Sequence, residues 1–247
     1  MKKIEVCFTP SLIDLYNVEK KVVVVVDILR ATSCMTTAMA NGVKSIIPVA
    51  TIEECFSLRK KGFLAAAERD GKMADGFDLG NSPFSYMDKS LKGKTIAVTT
   101  TNGTLAITKS KKAAQVIVGS FLNQSVVANY LINQPNDVII LCAGWKGKMN
   151  IEDTLFAGAL VDAVKDEFTF EEDATLIAQS LYNVAKDDIA GFVAKSSHVK
   201  RLNKLNIHKD IEFCLQPDIY PVIPMLKDDV LVAMEFDYEY VIKNDNA

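Results

Sequence analysis

Val22-Val23-Val24-Val25-Val26-Asp27-Ile28-Leu29-Arg30-Ala31-Thr32-Ser33 is the stretch on which the reading of the fold turns. Five consecutive valines read as a strand buried on both faces, because β-branched side chains suit a pleated sheet covered on each side. The run ends in a carboxylate, an arginine follows three residues later, and small hydroxyl residues open a helical pattern. In an open parallel sheet, ligands bind in the crevice beyond the carboxyl ends of the strands. An acid and an arginine at that place suit a cation and an anion.

The arrangement recurs along the chain. Phe63 to Ala67 runs into Glu68-Arg69-Asp70, Ile96 to Thr100 runs into Thr101-Asn102-Gly103-Thr104, and Val138 to Ala143 runs into Gly144-Trp145-Lys146. Glu152-Asp153 then opens a helical pattern over Ile151 to Val164. These apolar strands deliver polar or charged groups to what should be one edge of one sheet.

Between them the elements alternate. Lys3 to Phe8 reads as an edge strand, Ala31 to Ala40 as a helix ended by Asn41-Gly42, and Val43 to Val49 as a strand. Thr51 and Glu54 form a capping box, and Gly62 ends that helix. Gly71 to Ser82 has no apolar period and reads as a loop, with a short helix after Pro83. A strand at Val116 to Val118 and a helix from about Asn123 to Asn133 follow. The rhythm means βαβ units around a largely parallel or mixed sheet flanked by helices, a layered α/β/α body. After Asp166 the pattern changes to helices at Asp173 to Ala185 and on through Leu205. Strand signals return at Tyr220 to Ile223, Val230 to Phe236 and Tyr238 to Ile242, with a hairpin expected around Asp237. The expectation is one domain over 1–247 with a C-terminal helical and β extension, which could divide into two closely packed parts at about residue 166.

Composition narrows the function classes. The chain has 247 residues, 49% hydrophobic and 24% charged, enough for a sizeable core. A net charge of −3 gives no polybasic footprint, so no nucleic-acid partner is expected. No apolar run approaches the roughly 20 residues of a membrane span. The N-terminus lacks the apolar core of a signal peptide. The five cysteines are odd in number and scattered through apolar patterns, which argues for reduced thiols and a cytoplasmic setting.

The constellations point to phosphate and a hard metal ion. Asp27 and Glu68 are oxygen ligands at strand ends and suit Mg²⁺, which takes one or two carboxylates plus waters and substrate oxygens. Arg30 and Arg69 supply planar donors that fit a phosphate or sulfonate. Asn81 or Ser82 could cap the helix after Pro83 and present N–H groups to an anion. Asn102 and Gly103 lie at a helix start that would hold phosphate, Lys146 could neutralise an oxyanion, and Glu152 or Asp153 could add a metal ligand or a general base. The competing reading of each is structural: helix-start acids, a solvated charge cluster, an Asx-rich turn. Neither a Walker loop nor GxGxxG nor GxSxG is present. Cys34, beside Met35 and Met39, reads as a packed core thiol. His198 and His208 read as surface histidines, with His198 the one that could reach a site.

At these residues the chain resembles the 2-phosphosulfolactate phosphatase (ComB) family. The matching motifs are VDILRATS ending at Ser33, AERDG ending at Gly71, GFDLGNSP from Gly76 to Pro83, TTTNGT from Thr99 to Thr104, VGSFLN from Val118 to Asn123, and Ile151-Glu152-Asp153 before Ala157-Gly158. The resemblance implies a Mg²⁺-dependent phosphatase that converts 2-phospho-3-sulfolactate to 3-sulfolactate and phosphate, a step of coenzyme M biosynthesis. On that reading Asp27, Glu68 and Asp153 are catalytic, and Asp27, Glu68 and Glu152 hold the metal. Arg30, Arg69, Asn81, Ser82, Asn102, Gly103 and Lys146 bind substrate. The DxDx[TV] pattern of aspartyl-phosphate chemistry is absent, which favours attack by water. The alternatives are a phosphatase for another small phosphorylated hydroxy acid, and a non-catalytic protein that binds a phosphometabolite. The charged sheet edge could also serve as a subunit interface and make the chain a homodimer.

Overall fold

The protein is described here by a computed structural model covering residues 1–234. The valine run forms β2 (Val22–Val26), with every side chain buried. Val22, Val24 and Val26 enter one hydrophobic core, while Val23 and Val25 enter another on the opposite face. Burying one such side chain contributes roughly 1.5–3 kcal/mol over leaving it in water, so the run ties two layers together.

On one side β2 pairs in parallel with β7 (Gln115–Gly119) and on the other with β8 (Val138–Cys142), Val24 facing both Ile117 and Ile140. Beyond β8 lie β1 (Lys2–Cys7) and the two-residue β9 (Phe168–Thr169), both parallel. A second parallel set holds β3 (Ser45–Pro48), β6 (Thr95–Thr99) and β4 (Leu64–Arg69). Antiparallel β5 (Lys72–Met73) closes its edge. The sets are joined by an antiparallel hairpin of β10 (Pro224–Lys227) and β11 (Val230–Ala233), with Met225 against Ile117 of β7 and Leu231 against Ile46 of β3. Among the described residues this makes one mixed sheet in the order β5-β4-β6-β3-β11-β10-β7-β2-β8-β1-β9.

Helices cover it in layers, as the alternation predicts. α1 (Ala31–Ala40) and α3 (Gly103–Lys109) share a core with side chains from both parallel sets. α2 (Ile52–Lys60) buries Cys55 against Ala65, Ala67 and Ala97 on the other face of β4 and β6. The remaining face of the valine-rich set is covered by α4 (Gln124–Asn133), α5 (Ile151–Ala163), α6 (Asp173–Ala185), α7 (Ile189–Val193), α8 (Ser197–Asn203) and α9 (His208–Cys214). The Thr51–Glu54 capping box forms as its spacing requires.

Four expectations are corrected. β1 is one strand in from the edge, because the unpredicted β9 pairs with its start. The Gly71–Ser82 loop opens with β5, which turns back on β4. No strand forms over Tyr220 to Ile223. Pro221 has no N–H to give a ladder, and neighbouring backbone groups pair elsewhere: Tyr220 N–H donates to Leu122 O and Asn123 Nδ2 to Val222 O. The observed hairpin turns at Asp228-Asp229, whose φ angles of 48° and 65° are those of a two-residue hairpin turn that acidic residues tolerate. This hairpin is no appendage, since it fills the centre of the sheet. The hairpin expected around Asp237 and the strand at Tyr238 to Ile242 lie outside the described residues. Among the described residues no helix is long and apolar enough to cross a membrane.

Candidate active site

The strand ends of β2, β4, β6 and β8 meet at a cleft lined by Asp27, Arg30, Glu68, Asn81, Thr101, Asn102, Gly144, Trp145, His198 and Arg201. Asp27 follows β2 directly and is held by the first turn of α1. Its backbone N–H donates to Thr32 Oγ1 (3.0 Å), and Ser33 Oγ donates to Ile28 O (2.9 Å). The short hydroxyl residues thus fasten the strand end to the helix start. Among the described residues the Asp27 carboxylate receives one long hydrogen bond, from Ala31 N–H at 3.4 Å. Burial pushes its pKa up to about 6, and Glu68 and Glu152 push the same way, while His198 and the Ala31 N–H oppose them. α3 begins against this carboxylate at Gly103. A Cβ there would stand 2.7 Å from Ala31 Cβ and 2.9 Å from Asp27 Oδ2, so only glycine allows the approach.

Glu68 comes from the other parallel set. Its carboxylate accepts from Gly71 N–H inside its own turn and from Thr101 Oγ1 at 3.4 Å. Arg30 is buried, forms an ion pair with Asp210 on α9, and donates from Nη2 to Gly71 O (2.9 Å). Ser82 Oγ donates to the other Asp210 oxygen at 3.2 Å. Ser82 therefore stands at the N-terminus of the turn after Pro83 without capping it, and supports the Arg30 ion pair instead.

Glu152 and Asp153 enter together at the start of α5 and are both fully buried. Asp153 accepts from Ile28 N–H (2.8 Å), Gly144 N–H (3.0 Å) and Asn150 Nδ2 (2.9 Å). It ties the ends of β2 and β8 to α5 from behind the cleft. Burial, with Asp27 and Glu152 nearby, raises its pKa well above the usual carboxylate range, and its donors pull the other way. Glu152 Oε1 meets His198 Nδ1, while Oε2 has no hydrogen-bond partner. A buried carboxylate oxygen without a partner is costly and is relieved by a cation or water.

His198 and Arg201 sit three residues apart on α8, which brings both to Trp145. The His198 ring stacks on Trp145 at 5.6 Å, and the Arg201 guanidinium carbon lies 3.6 Å from the indole centroid. His198 is thus no surface histidine, its side chain being 9% exposed. Trp145 is carried by a tight loop in which Gly144 takes φ +60°, with Lys148 O 2.3 Å from where a Cβ would be.

Among the sequence-predicted residues, the cleft brings together Asp27, Arg30, Glu68, Asn81 and Asn102. The others lie behind or beside it. Arg69 donates to Glu68 O and Thr99 Oγ1, Gly103 packs under Asp27, and Ser82, Glu152 and Asp153 stand in the second layer. Lys146 is exposed, 3.8 Å from Asp70. Sequence reasoning missed Arg201 and Asp210 as contributors, while Thr101 and Trp145 lie within the strand-end groups it singled out without a role of their own. The only signal for Arg201 is its spacing from His198 on a polar helix. Cys34 is a buried core thiol, raised far above its ordinary pKa by burial, as expected.

Carboxylates from two strand ends and two guanidinium groups thus line one cleft on a layered α/β protein. The profile of the 2-phosphosulpholactate phosphatase family matches residues 7–229, and the chain belongs to that family. A probable 2-phosphosulfolactate phosphatase of Caldanaerobacter subterraneus subsp. tengcongensis is 41% identical over 220 residues, covering 87% of this chain and 91% of its own. A protein of the same description from Thermotoga petrophila is 41% identical over 219 residues, covering 89% and 95%. One from Clostridium acetobutylicum is 40% identical over 227 residues, covering 90% and 96%.

Proposed function

We propose that this chain hydrolyses 2-phospho-3-sulfolactate to 3-sulfolactate and inorganic phosphate with Mg²⁺ as cofactor, as a step of coenzyme M or other sulfolactate metabolism. The observation that carries the reading is the meeting of Asp27 and Glu68, from separate parallel sets, in a cleft that also holds Arg30 and Arg201. Five buried free cysteines accord with a reducing, cytoplasmic setting.

The reading of a bound Mg²⁺ is supported by two carboxylates, Asp27 and Glu68, that line one cleft. Among the described residues no group of three or more His, Cys, Asp or Glu side chains is arranged to hold an ion. Mg²⁺ needs no such cage, because waters and phosphate oxygens complete its shell. Asp27, raised to about 6, and the partnerless Glu152 Oε2 both mark carboxylate charge that the protein leaves uncompensated. Held by Asp27 and Glu68, Mg²⁺ would supply Lewis-acid neutralisation of the phosphate oxygens.

The chain's own residues supply the rest. Arg30, rigid through Asp210, and Arg201 offer guanidinium donors to oxyanions. Asn81 and Asn102 add amide groups to the wall. Asp27, which accepts just the long Ala31 N–H bond among the described residues, keeps lone pairs for the metal and for orienting the attacking water. His198, with Nδ1 on Glu152, keeps its second ring nitrogen for the leaving-group oxygen. Asp153 orients the strand ends without entering the cleft.

Phosphate release from racemic phosphosulfolactate, with Mg²⁺ and with EDTA, tests the reading. Release with Mg²⁺ that EDTA abolishes is expected. Release from phospholactate but not from phosphosulfolactate would keep the chemistry and discard the substrate. No release from any phosphoester would overturn the proposal.

A further inference from the structure

The cleft holds two guanidinium groups in different states. Arg30 is buried and its charge is answered by Asp210, which Ser82 braces in turn. Arg201 is half-buried, and its guanidinium makes no ion pair or hydrogen bond among the described residues. Its guanidinium carbon sits 3.6 Å from the Trp145 centroid, and the same indole stacks on His198. An aromatic support limits the side chain's freedom while leaving the in-plane N–H donors available, and the apolar backing strengthens any charge-assisted bond they make. Lys146 on this loop is exposed, with its Nζ 5.0 Å from the Trp145 centroid and 3.8 Å from Asp70. Glu68 is joined to Arg30 through the Gly71 turn, whose N–H it accepts and whose carbonyl accepts from Arg30 Nη2.

We propose that Arg201, braced on Trp145, is a specificity-determining residue that holds the non-reacting oxyanion of the substrate, a sulfonate or a carboxylate. The assignment rests on the phosphoester reading above for the identity of the reacting group. Arg201 then selects small phosphoesters that carry a second oxyanion over those that do not. Trp145 provides the support and a small apolar wall.

Trp145 is the single tryptophan of the chain, so its fluorescence reports on this corner directly. The wild type and Arg201→Gln are titrated with inorganic phosphate and with 3-sulfolactate, with lactate and 2-hydroxyethanesulfonate as carboxylate-only and sulfonate-only arms. A charge-assisted bidentate contact corresponds to a loss of about 10- to 100-fold. The expected result is 3-sulfolactate binding weakened by that factor in the variant, with phosphate affinity changed less than about threefold. The arm that loses most identifies the oxyanion. Arg201→Lys, which keeps the charge and loses the fork, is expected to lie between. In turnover the Gln variant raises KM for phosphosulfolactate by a larger factor than it raises KM for glycerol 2-phosphate. Equal weakening of phosphate and sulfolactate, no weakening of either, or no response of wild-type Trp145 to any ligand would overturn the proposal. Failure of the phosphatase reading shows separately, as absent phosphate release by the wild type.

Discussion

The valine-rich and alanine-rich halves of the sheet each bring one carboxylate to the cleft, and they treat it differently. After β2, Asp27 is buried with one long hydrogen bond and carboxylate neighbours, and its pKa rises to about 6. Near the end of β4, Glu68 is held by Gly71 N–H of the following turn and by Thr101. One acid is left short of partners and the other is supplied with them. Under-satisfied charge costs stability and is what a cation or a reacting group can use. Asp27 should therefore matter most for turnover and least for holding the fold, with Glu68 shifted the other way.

The largest expected effect is on turnover in Asp27→Asn, a loss of about 10³-fold or more in kcat/KM, read by phosphate release. The same change should stabilise the metal-free protein. A folded-state pKa of about 6 against an ordinary value near 4 means that the folded chain holds its proton more tightly than the unfolded chain. Wild-type stability then falls as pH rises from about 4 to about 6 and stays lowered above, by up to about 3 kcal/mol. Denaturant unfolding in EDTA at pH 4 and pH 8 should show a larger fall in the wild type than in the variant, where the raised Asp153 still contributes. A variant that is inactive and less stable at pH 8 would break the contrast.

Next in size is Asp153→Ala, which leaves Ile28 and Gly144 N–H groups without their acceptor. About 3 kcal/mol of stability should be lost, read by urea unfolding, with activity falling because the ends of β2 and β8 drift apart. The smallest effect is expected for Glu68→Gln. The isostere keeps the Gly71 and Thr101 contacts in weakened form, so stability should fall by about 1 kcal/mol. Its kcat/KM should fall about 10- to 100-fold, with a raised Mg²⁺ requirement in the same assay. Equal kinetic losses for Asp27→Asn and Glu68→Gln would mean that the two halves contribute alike.

Much of this architecture is readable along the chain. Strand and helix periods are local, so the runs ending at Asp27, Glu68, Thr101 and Gly144 mark strand ends, and ligand sites follow from the topology of such sheets. Errors cluster where distant pairing decides. β9 exists because Phe168 and Thr169 find the start of β1, and the β10–β11 hairpin is held because β3 and β7 both present open edges. Along the chain His198 reads as a surface residue that could reach a site, because no local pattern announces Glu152 as its partner 46 residues away. Arg30 finds Asp210 across 180 residues, a separation over which sequence spacing carries no geometric information.

The sequence by itself determined that Asp27, Arg30 and Glu68 stand at the carboxyl ends of buried strands. β-branched runs, small hydroxyl helix starts and glycine turns are short-range signals with short-range physics. Only the tertiary structure decided which charged groups are answered and which are left over. Asp153 gathers three N–H donors while its neighbour Glu152 keeps a bare oxygen, and Arg30 is paired while Arg201 rests on an indole. Hydrogen-bond satisfaction and desolvation are set by what packs within a few ångströms in space, and adjacent residues in the chain can meet opposite surroundings.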